Sequence, residues 1–339
     1  MATVLNNYKY LTLVELAKRT DPRGGAAVIA EILHRTNEIV QDMVWLEAND
    51  TFSHKTTRRM SLPEGQWRKL NEGVGVAASR TMEVIDTLGM LEIYAETDVE
   101  LVNAAPDPMA LRMQEASAFI EGMGQQLVDT VFYGDTVVKP ETFTGLAPRL
   151  ASQSMKNVLS SGATATDGAY TTSVYLVQWS PMTCHMIYPR GSMSIGLRHT
   201  DLGEVTVYTS SALWGNDNNS MFQAYRDHFQ LKAGLSVRDE RSLARICNIE
   251  TRTSNATETS HWLKDDQIIH LMNYMIQRGA GTVMYMNREV FVQFDITTKE
   301  RHNVLYSPDM PYGIPQVMFR GIPVRMCDGI KIGEGYVPL

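Results

Sequence analysis

Between Asp107 and Gly134 the chain carries an apolar stripe that a single long α-helix presents on one face. Met109, Met113, Ala116, Ile120, Met123, Leu127 and Val131 step by four, three, four, three, four and four residues, the spacing of one side of a helix with 3.6 residues per turn. Asp107 stands where a helix N-cap accepts orphan backbone N–H groups. Pro108 occupies the favoured first position, and Gly134 stands just past the last periodic residue. Roughly 25 residues of helix span about 37 Å, so other elements must pack across it as on a spine. Gly122 and Gly124 interrupt the stripe and allow another backbone to come close. The methionines read as core filling rather than as a cofactor site.

The stretch before this helix is its opposite in character. From His54 to Leu70 the run HKTTRRMSLPEGQWRKL holds five bases, Lys55, Arg58, Arg59, Arg68 and Lys69, against one acid, Glu64. From Thr81 to Glu100 come six acids, Glu83, Asp86, Glu92, Glu96, Asp98 and Glu100, with no Lys or Arg. No apolar face at helical period is sustained before about residue 82, and Pro63 and Gly65 suit a turn. Residues 50–80 therefore read as a long extended excursion with a Pro-Gly tip, too polar to bury itself. Two readings stay open: a solvated surface hairpin, or an arm that lies on another subunit. Adjacent basic and acidic patches suit head-to-tail contacts of the second kind.

Elsewhere the pattern is mixed. Thr12–Glu15 has capping-box spacing, and Val28, Ile29, Ile32, Leu33, Ile39, Val40 and Met43 recur at helical intervals after the Asp21-Pro22 break. Strand candidates are Ser173–Trp179, Glu204–Thr209, Leu243–Ile249, Gly281–Met286 and Val317–Met326. Helix candidates are 263–278, ending at Arg278-Gly279, and Arg288–Asp295. Without a βαβ rhythm this is an α+β chain, not a doubly wound sheet.

The search for chemistry assembles no site. Gly73 and Gly75 are followed by Ala78 where a dinucleotide fingerprint needs glycine, and Ser194 is preceded at 192 by Ser, not the glycine of a nucleophile elbow. No His-Glu-x-x-His or Cys-x-x-Cys occurs. Cys184, Cys247 and Cys327 read as buried thiols, with His185 as a surface imidazole beside the first. Asp265 and Asp266 read as a helix start and Asp295 as part of a solvated face. The sequons at Asn218 and Asn255 carry no weight without export. The opening MATVLNNYKY shows no secretory leader, and no run approaches the roughly 20 apolar residues of a membrane helix. A net charge of −7 argues against gripping phosphate backbones. A polar excursion, a spine helix, an α+β remainder and no site are together what a shell subunit would show.

Seven passages sharpen this. LTLVELAKRTDPRG, AEILHRTNEIVQDMVWLEAND, LPEGQWRKLNEGVGVAASRT, FYGDTVVKPETFTGLAPRL, FQAYRDHFQLKAGLSVRDERSLARICNIET, TVMYMNREVFVQFDI and FRGIPVRMCDGI occur in this order. The set resembles the major capsid proteins of tailed bacteriophages with the Hong Kong phage capsid fold, in particular the epsilon-fifteen-type short-tailed group. The resemblance implies an N-terminal arm with first helices at 1–46, an extended E-loop at 47–90 and a peripheral domain at 91–144 with its spine helix at 107–133. It further implies an axial domain at 145–310 and return strands at 311–339. Residues 190–250 read either as an insertion or as a strand pair returning to the peripheral domain.

The function implied is structural, without catalytic residues, metal or cofactor. Copies would form pentamers and hexamers of an icosahedral virion shell enclosing double-stranded DNA without specific binding. Assembly in the bacterial host cytoplasm is expected, with portal, scaffolding and decoration proteins as partners. Lys55, Arg58, Arg59, Arg68 and Lys69 are expected to meet Glu83, Asp86, Glu92 and Glu96 of a neighbouring copy. The competing readings are an encapsulin-type nanocompartment shell protein, an α+β enzyme with an unfamiliar site, and a tail or tube component that the spine helix argues against.

Overall fold

The computed structural model describes residues 37–164, 170–192, 197–209, 220–251, 261–275, 281–300 and 317–338. The expected helices near Thr12 and Val28, Ser194, both sequons and the helix end at Arg278 lie outside them. In chain order come α1 (Ile39–Asp42), β1 (Trp45–Glu47), β2 (Ser53–Ser61), β3 (Arg80–Thr87), β4 (Gly89–Asp98), α2 (Val99–Ala104) and α3 (Pro108–Tyr133). Then follow α4 (Leu146–Arg149), β5 (Val158–Ser160), β6 (Thr171–Gln178), β7 (Cys184–Tyr188), β8 (Leu197–Thr209) and β9 (Ser220–Val237). The last are β10 (Leu243–Glu250), α5 (Asp265–Tyr274), β11 (Thr282–Met286), α6 (Arg288–Glu300), β12 (Met318–Phe319) and β13 (Ile322–Met326).

Helix α3 is the expected spine. The Asp107 carboxylate accepts from the N–H groups of Met109 and Ala110, both at 3.1 Å, which satisfies donors that have no partner inside the helix. At the other end the Gly134 N–H donates to the Thr130 carbonyl at 2.8 Å. A Cβ at Gly134 would stand 2.3 Å from the Phe143 carbonyl oxygen, so only glycine fits this close approach.

The described chain divides into two compact units. One takes Met90–Gln126 and Gly196–Lys232; the other takes Arg35–Gly89, Leu127–Ile195 and Ala233–Leu339. In the first, β8 pairs antiparallel with β9 from Leu197↔Leu231 to Thr209↔Ser220. Leu101, Val102, Ala105 and Leu111 form its small buried cluster. Residues 196–232 thus group with 90–126 rather than with the remainder of 145–310.

The second unit is built on a six-stranded sheet in the order β12-β13-β11-β6-β10-β5. Strand β6, TTSVYLVQ, is buried along its whole length, as a strand covered on both faces must be. Val174, Leu176, Ile246, Leu271, Met284 and Phe294 pack in one cluster with α5 and α6, each fully buried side chain contributing about 1.5–3 kcal/mol. Strand β10 bulges between Ile246 and Ile249, where Asn248 takes φ 55°. Its side-chain amide donates to the Val337 carbonyl at 3.2 Å and accepts from the Val337 N–H at 3.0 Å, which ties the C-terminal segment down. The same segment brings in Glu334, whose carboxylate meets Arg245 at 2.9 Å, with the two side chains only 3% and 5% exposed. The Tyr133 and Ser173 hydroxyls also donate to that carboxylate.

Strands β2 and β3 form a separate antiparallel pair within this unit, and residues 62–79 between them hold no regular structure beyond a turn. The extended excursion is therefore a long hairpin. Its root adjoins β7, which runs parallel to β1 and antiparallel to β9. A Cβ at Gly234 of β9 would lie 2.6 Å from the Thr87 carbonyl oxygen, so the glycine lets β3 end against β9.

Several expectations shift. The acidic run 81–100 is divided among β3, β4 and the first turn of α2. Val317–Met326 is the hairpin β12–β13, turned at Arg320 and Gly321, both at positive φ. The imidazole of His185 is buried rather than on the surface. Asp295 is half-buried, and burial pushes its carboxyl above the usual range. All three cysteines are buried and free.

Candidate assembly surfaces

The structure sorts the nine charged residues expected at contacts between copies by whether they have partners in their own chain. Lys55 and Glu83, from facing strands, approach to 3.8 Å with both side chains more than half exposed. Arg58 turns back to Glu240 at 2.6 Å and donates to the Val237 carbonyl. Asp86 is buried and accepts from the Arg149 guanidinium at 2.8 Å. On β4, Glu96 pairs with Arg226 at 2.6 Å. Glu92 lies 3.4 Å from His228 and accepts from the Gln230 amide, whose hydrogen bond holds its carboxyl below the usual range.

The remaining three are different. Arg59 is exposed, and among the described residues no carboxylate lies within ion-pair reach of it. Among the described residues Arg68 donates only to the Glu72 backbone carbonyl, at 3.1 Å. Lys69 uses its backbone N–H toward Glu72 at 3.3 Å, which leaves the ammonium unpaired among the described residues. Charge patterning alone could not separate these sets, because pairing depends on register: Thr57 faces Glu83 and His54 faces Asp86 across the hairpin.

Apolar exposure, which charge counting passes over, marks the same loop. Trp67, Leu70 and Val76 are almost wholly exposed, with Leu62 close behind. The stripe of α3 also divides. Met123, Leu127 and Val131 are buried, but Met109 and Met113 are 75% and 68% exposed. Beside the exposed half, an open groove of about 240 Å³ is lined by Ile93, Ala118, Phe119, Gly122, Met123 and Gln126. Exposed apolar area of this kind, in the loop beside Arg68 and Lys69 and separately on α3, marks candidate contact surfaces. Among the described residues no group of three His, Cys, Asp or Glu side chains could hold a metal ion.

The family model described as major capsid protein GP7 matches residues 21–338. The chain belongs to that family. A solved structure of bacteriophage Epsilon15 superposes with a TM-score of 0.73 at 26% identity, covering 99% of both chains. The fold of this major capsid protein is accordingly the α+β Hong Kong phage capsid fold. A protein of Microbacterium phage Oxtober96 is similar at a TM-score of 0.44 and 7% identity, covering 69% of this chain and 98% of that one. The encapsulin complex of Synechococcus elongatus gives 0.42 and 10%, covering 71% and 96%. Scores this low add nothing to the assignment. No curated protein is matched. The major capsid protein is a structural component of a phage capsid, and forming the shell is its function.

Proposed function

We propose that copies of this chain close as pentamers and hexamers into an icosahedral shell around packaged double-stranded DNA. In this reading the β2–β3 hairpin of each copy lies on another copy. The observation that carries it is the hairpin loop, where Trp67, Leu70 and Val76 stand exposed beside Arg68 and Lys69. A monomer gains nothing from holding these groups in water, whereas a neighbour would bury them. Arg59, Arg68 and Lys69 are the cations proposed to cross between copies. Lys55, Arg58, Glu83, Asp86, Glu92 and Glu96, which have partners in their own chain, would shape the surfaces that meet. The unit containing 90–126 and 196–232 is read as the peripheral domain, and the six-stranded sheet as the core of the axial domain.

The net charge of −7 suits a wall that contains DNA without clamping it. Portal, scaffolding and decoration proteins are the further partners of such a shell, assembled in the bacterial cytoplasm and ending in the virion. Negative-stain electron microscopy of the overexpressed chain should show closed particles. The triple variant Arg59→Glu, Arg68→Glu, Lys69→Glu should keep the circular dichroism and melting temperature of the parent yet form no closed particles. Normal shells from that variant would remove the hairpin cations from the interface, and soluble monomers from the parent would count against self-assembly altogether.

A further inference from the structure

Two histidines 131 positions apart in sequence meet at the root of the hairpin. His54 is the second residue of β2 and His185 the second of β7, and their rings pack edge to face with centroids 5.7 Å apart. Both are buried, His185 completely. The His54 Nδ1 accepts the Asn49 backbone N–H at 3.3 Å, so the ring proton sits on Nε2, which has no partner among the described residues. Neither nitrogen of His185 has a partner in hydrogen-bonding geometry there. A buried neutral ring tolerates this at some cost, but a buried cation without a partner is far more costly.

Charged and titratable groups face the pair from every side. Asp86 of β3 stands near; its Oδ1 is engaged by Arg149 of α4 at 2.8 Å, and its buried Oδ2 has no partner among the described residues. Arg238 follows the end of β9, and Ser236, opposite His185 in register, has an unpartnered hydroxyl among the described residues. On β2, Arg58 is paired to Glu240 at 2.6 Å. On β7, burial pushes the Cys184 thiol up to about 12, so it is neutral. Burial first, then the Arg238 cation, holds His54 below its ordinary value. For His185, burial, then Arg238 and His54, push the imidazole down to about 4, with Asp86 and the Ser180 backbone as the weaker opposing influences.

We propose that the His54–His185 pair is a proton-operated latch: the neutral rings hold the root of the β2–β3 hairpin against β7, and proton uptake releases it. The geometry states how. A proton on His54 Nδ1 ends the bond from Asn49, the residue whose side chain also brackets Lys55, donating to its carbonyl at 2.7 Å and accepting from its N–H at 2.9 Å. A proton on His185 places a cation in a fully buried site beside Arg238. Moving the hairpin root away relieves both. The latch works within one copy, so its test stands apart from whether copies close into shells.

Hydrogen–deuterium exchange of the full-length chain, corrected for intrinsic rates, reads the release. An opening that exposes His185 lets its imidazole titrate at 6.5 instead of about 4. Exchange across 53–61 and 80–87 should then be about thirtyfold faster at pH 5.0 than at pH 7.5. The double variant His54→Gln, His185→Gln should lose this pH response. In the unaltered chain, exchange at the imidazole C2 position followed by mass spectrometry should give His185 a midpoint well below 6.5. Equal hairpin protection at both pH values, a His185 midpoint at its ordinary value, or a response that survives in the variant would each overturn the latch.

Discussion

Arg245 and Glu334 meet inside the six-stranded unit at 2.9 Å, whereas Lys55 and Glu83 meet on the hairpin at 3.8 Å. The first pair is almost fully buried and every neighbour serves it. Arg245 also donates to Ser173 and to the Leu150 carbonyl, each at 3.0 Å, and its guanidinium lies 5.4 Å from the centre of the Tyr175 ring. The second pair sits in water, more than half exposed at both ends. The difference separates two tasks within one chain. The sheet unit surrounds its buried pair with partners from its own chain. The hairpin holds Trp67, Arg68 and Lys69 exposed.

The comparison breaks most sharply if the buried pair is cut. Glu334→Gln leaves the Arg245 guanidinium buried without its counter-charge, a loss of about 3–5 kcal/mol in stability, read by chemical denaturation of the full chain. A loss below about 1 kcal/mol, the range of exposed pairs, would mean the network is not the anchor of the C-terminal segment. Gly234→Ala is next. The added Cβ meets the Thr87 carbonyl oxygen at 2.6 Å and Ile187 Cγ1 at 2.9 Å, and forced overpacking of this sort costs about 1–3 kcal/mol. An unchanged denaturation midpoint would show that β3 can shift without cost.

What could be read from the sequence divides along similar lines. Helix α3 was legible because its cap, its proline, its stripe and its closing glycine all lie within one short window. The hairpin was legible because a run such as TTRRMSLPEGQWRK has no way to bury itself. Strand β9 was covered only by the reading of a strand pair somewhere in 190–250, without bounds: in FQAYRDHFQLKAG the charged residues that obscure a strand pattern are those that pair across to other elements, Arg226 with Glu96 and Asp227 with Arg112. The contact surface was legible only in part. A list of charges cannot show that Arg58 turns inward to Glu240, 182 positions away, while Arg59 next to it does not. The exposed half of the α3 stripe was hidden for a related reason, since periodicity shows which residues share a face but not whether anything covers it. His54 and His185 carried no local signal at all.

Acid acts on the root of the hairpin. The folded His185 imidazole titrates at about 4 against 6.5 in the unfolded chain. The unfolded state thus binds more protons between those values. This contribution to stability is complete above pH 6.5 and is lost as the pH falls toward 4. At pH 5.0 the loss amounts to about 2 kcal/mol, and it should be absent in His185→Gln. A parent and variant whose stabilities fall in parallel between pH 7 and pH 5 would place the acid sensitivity elsewhere.

The smallest effect belongs to the exposed pair. A double-mutant cycle on Lys55→Ala and Glu83→Ala should give a coupling of about 0.2–1 kcal/mol in dilute buffer and close to none in 1 M salt, because water and ions screen charges this exposed. The pair nevertheless fixes where its charges stand along β2 and β3. If a neighbouring copy covers the hairpin and removes that water, the same coupling should rise in assembled particles and lose its salt dependence. A coupling that is equally small and equally screened in free subunits and in particles would mean that this stretch of the hairpin stays in solvent, and that contact between copies begins beyond it, at Arg59 and the loop carrying Trp67.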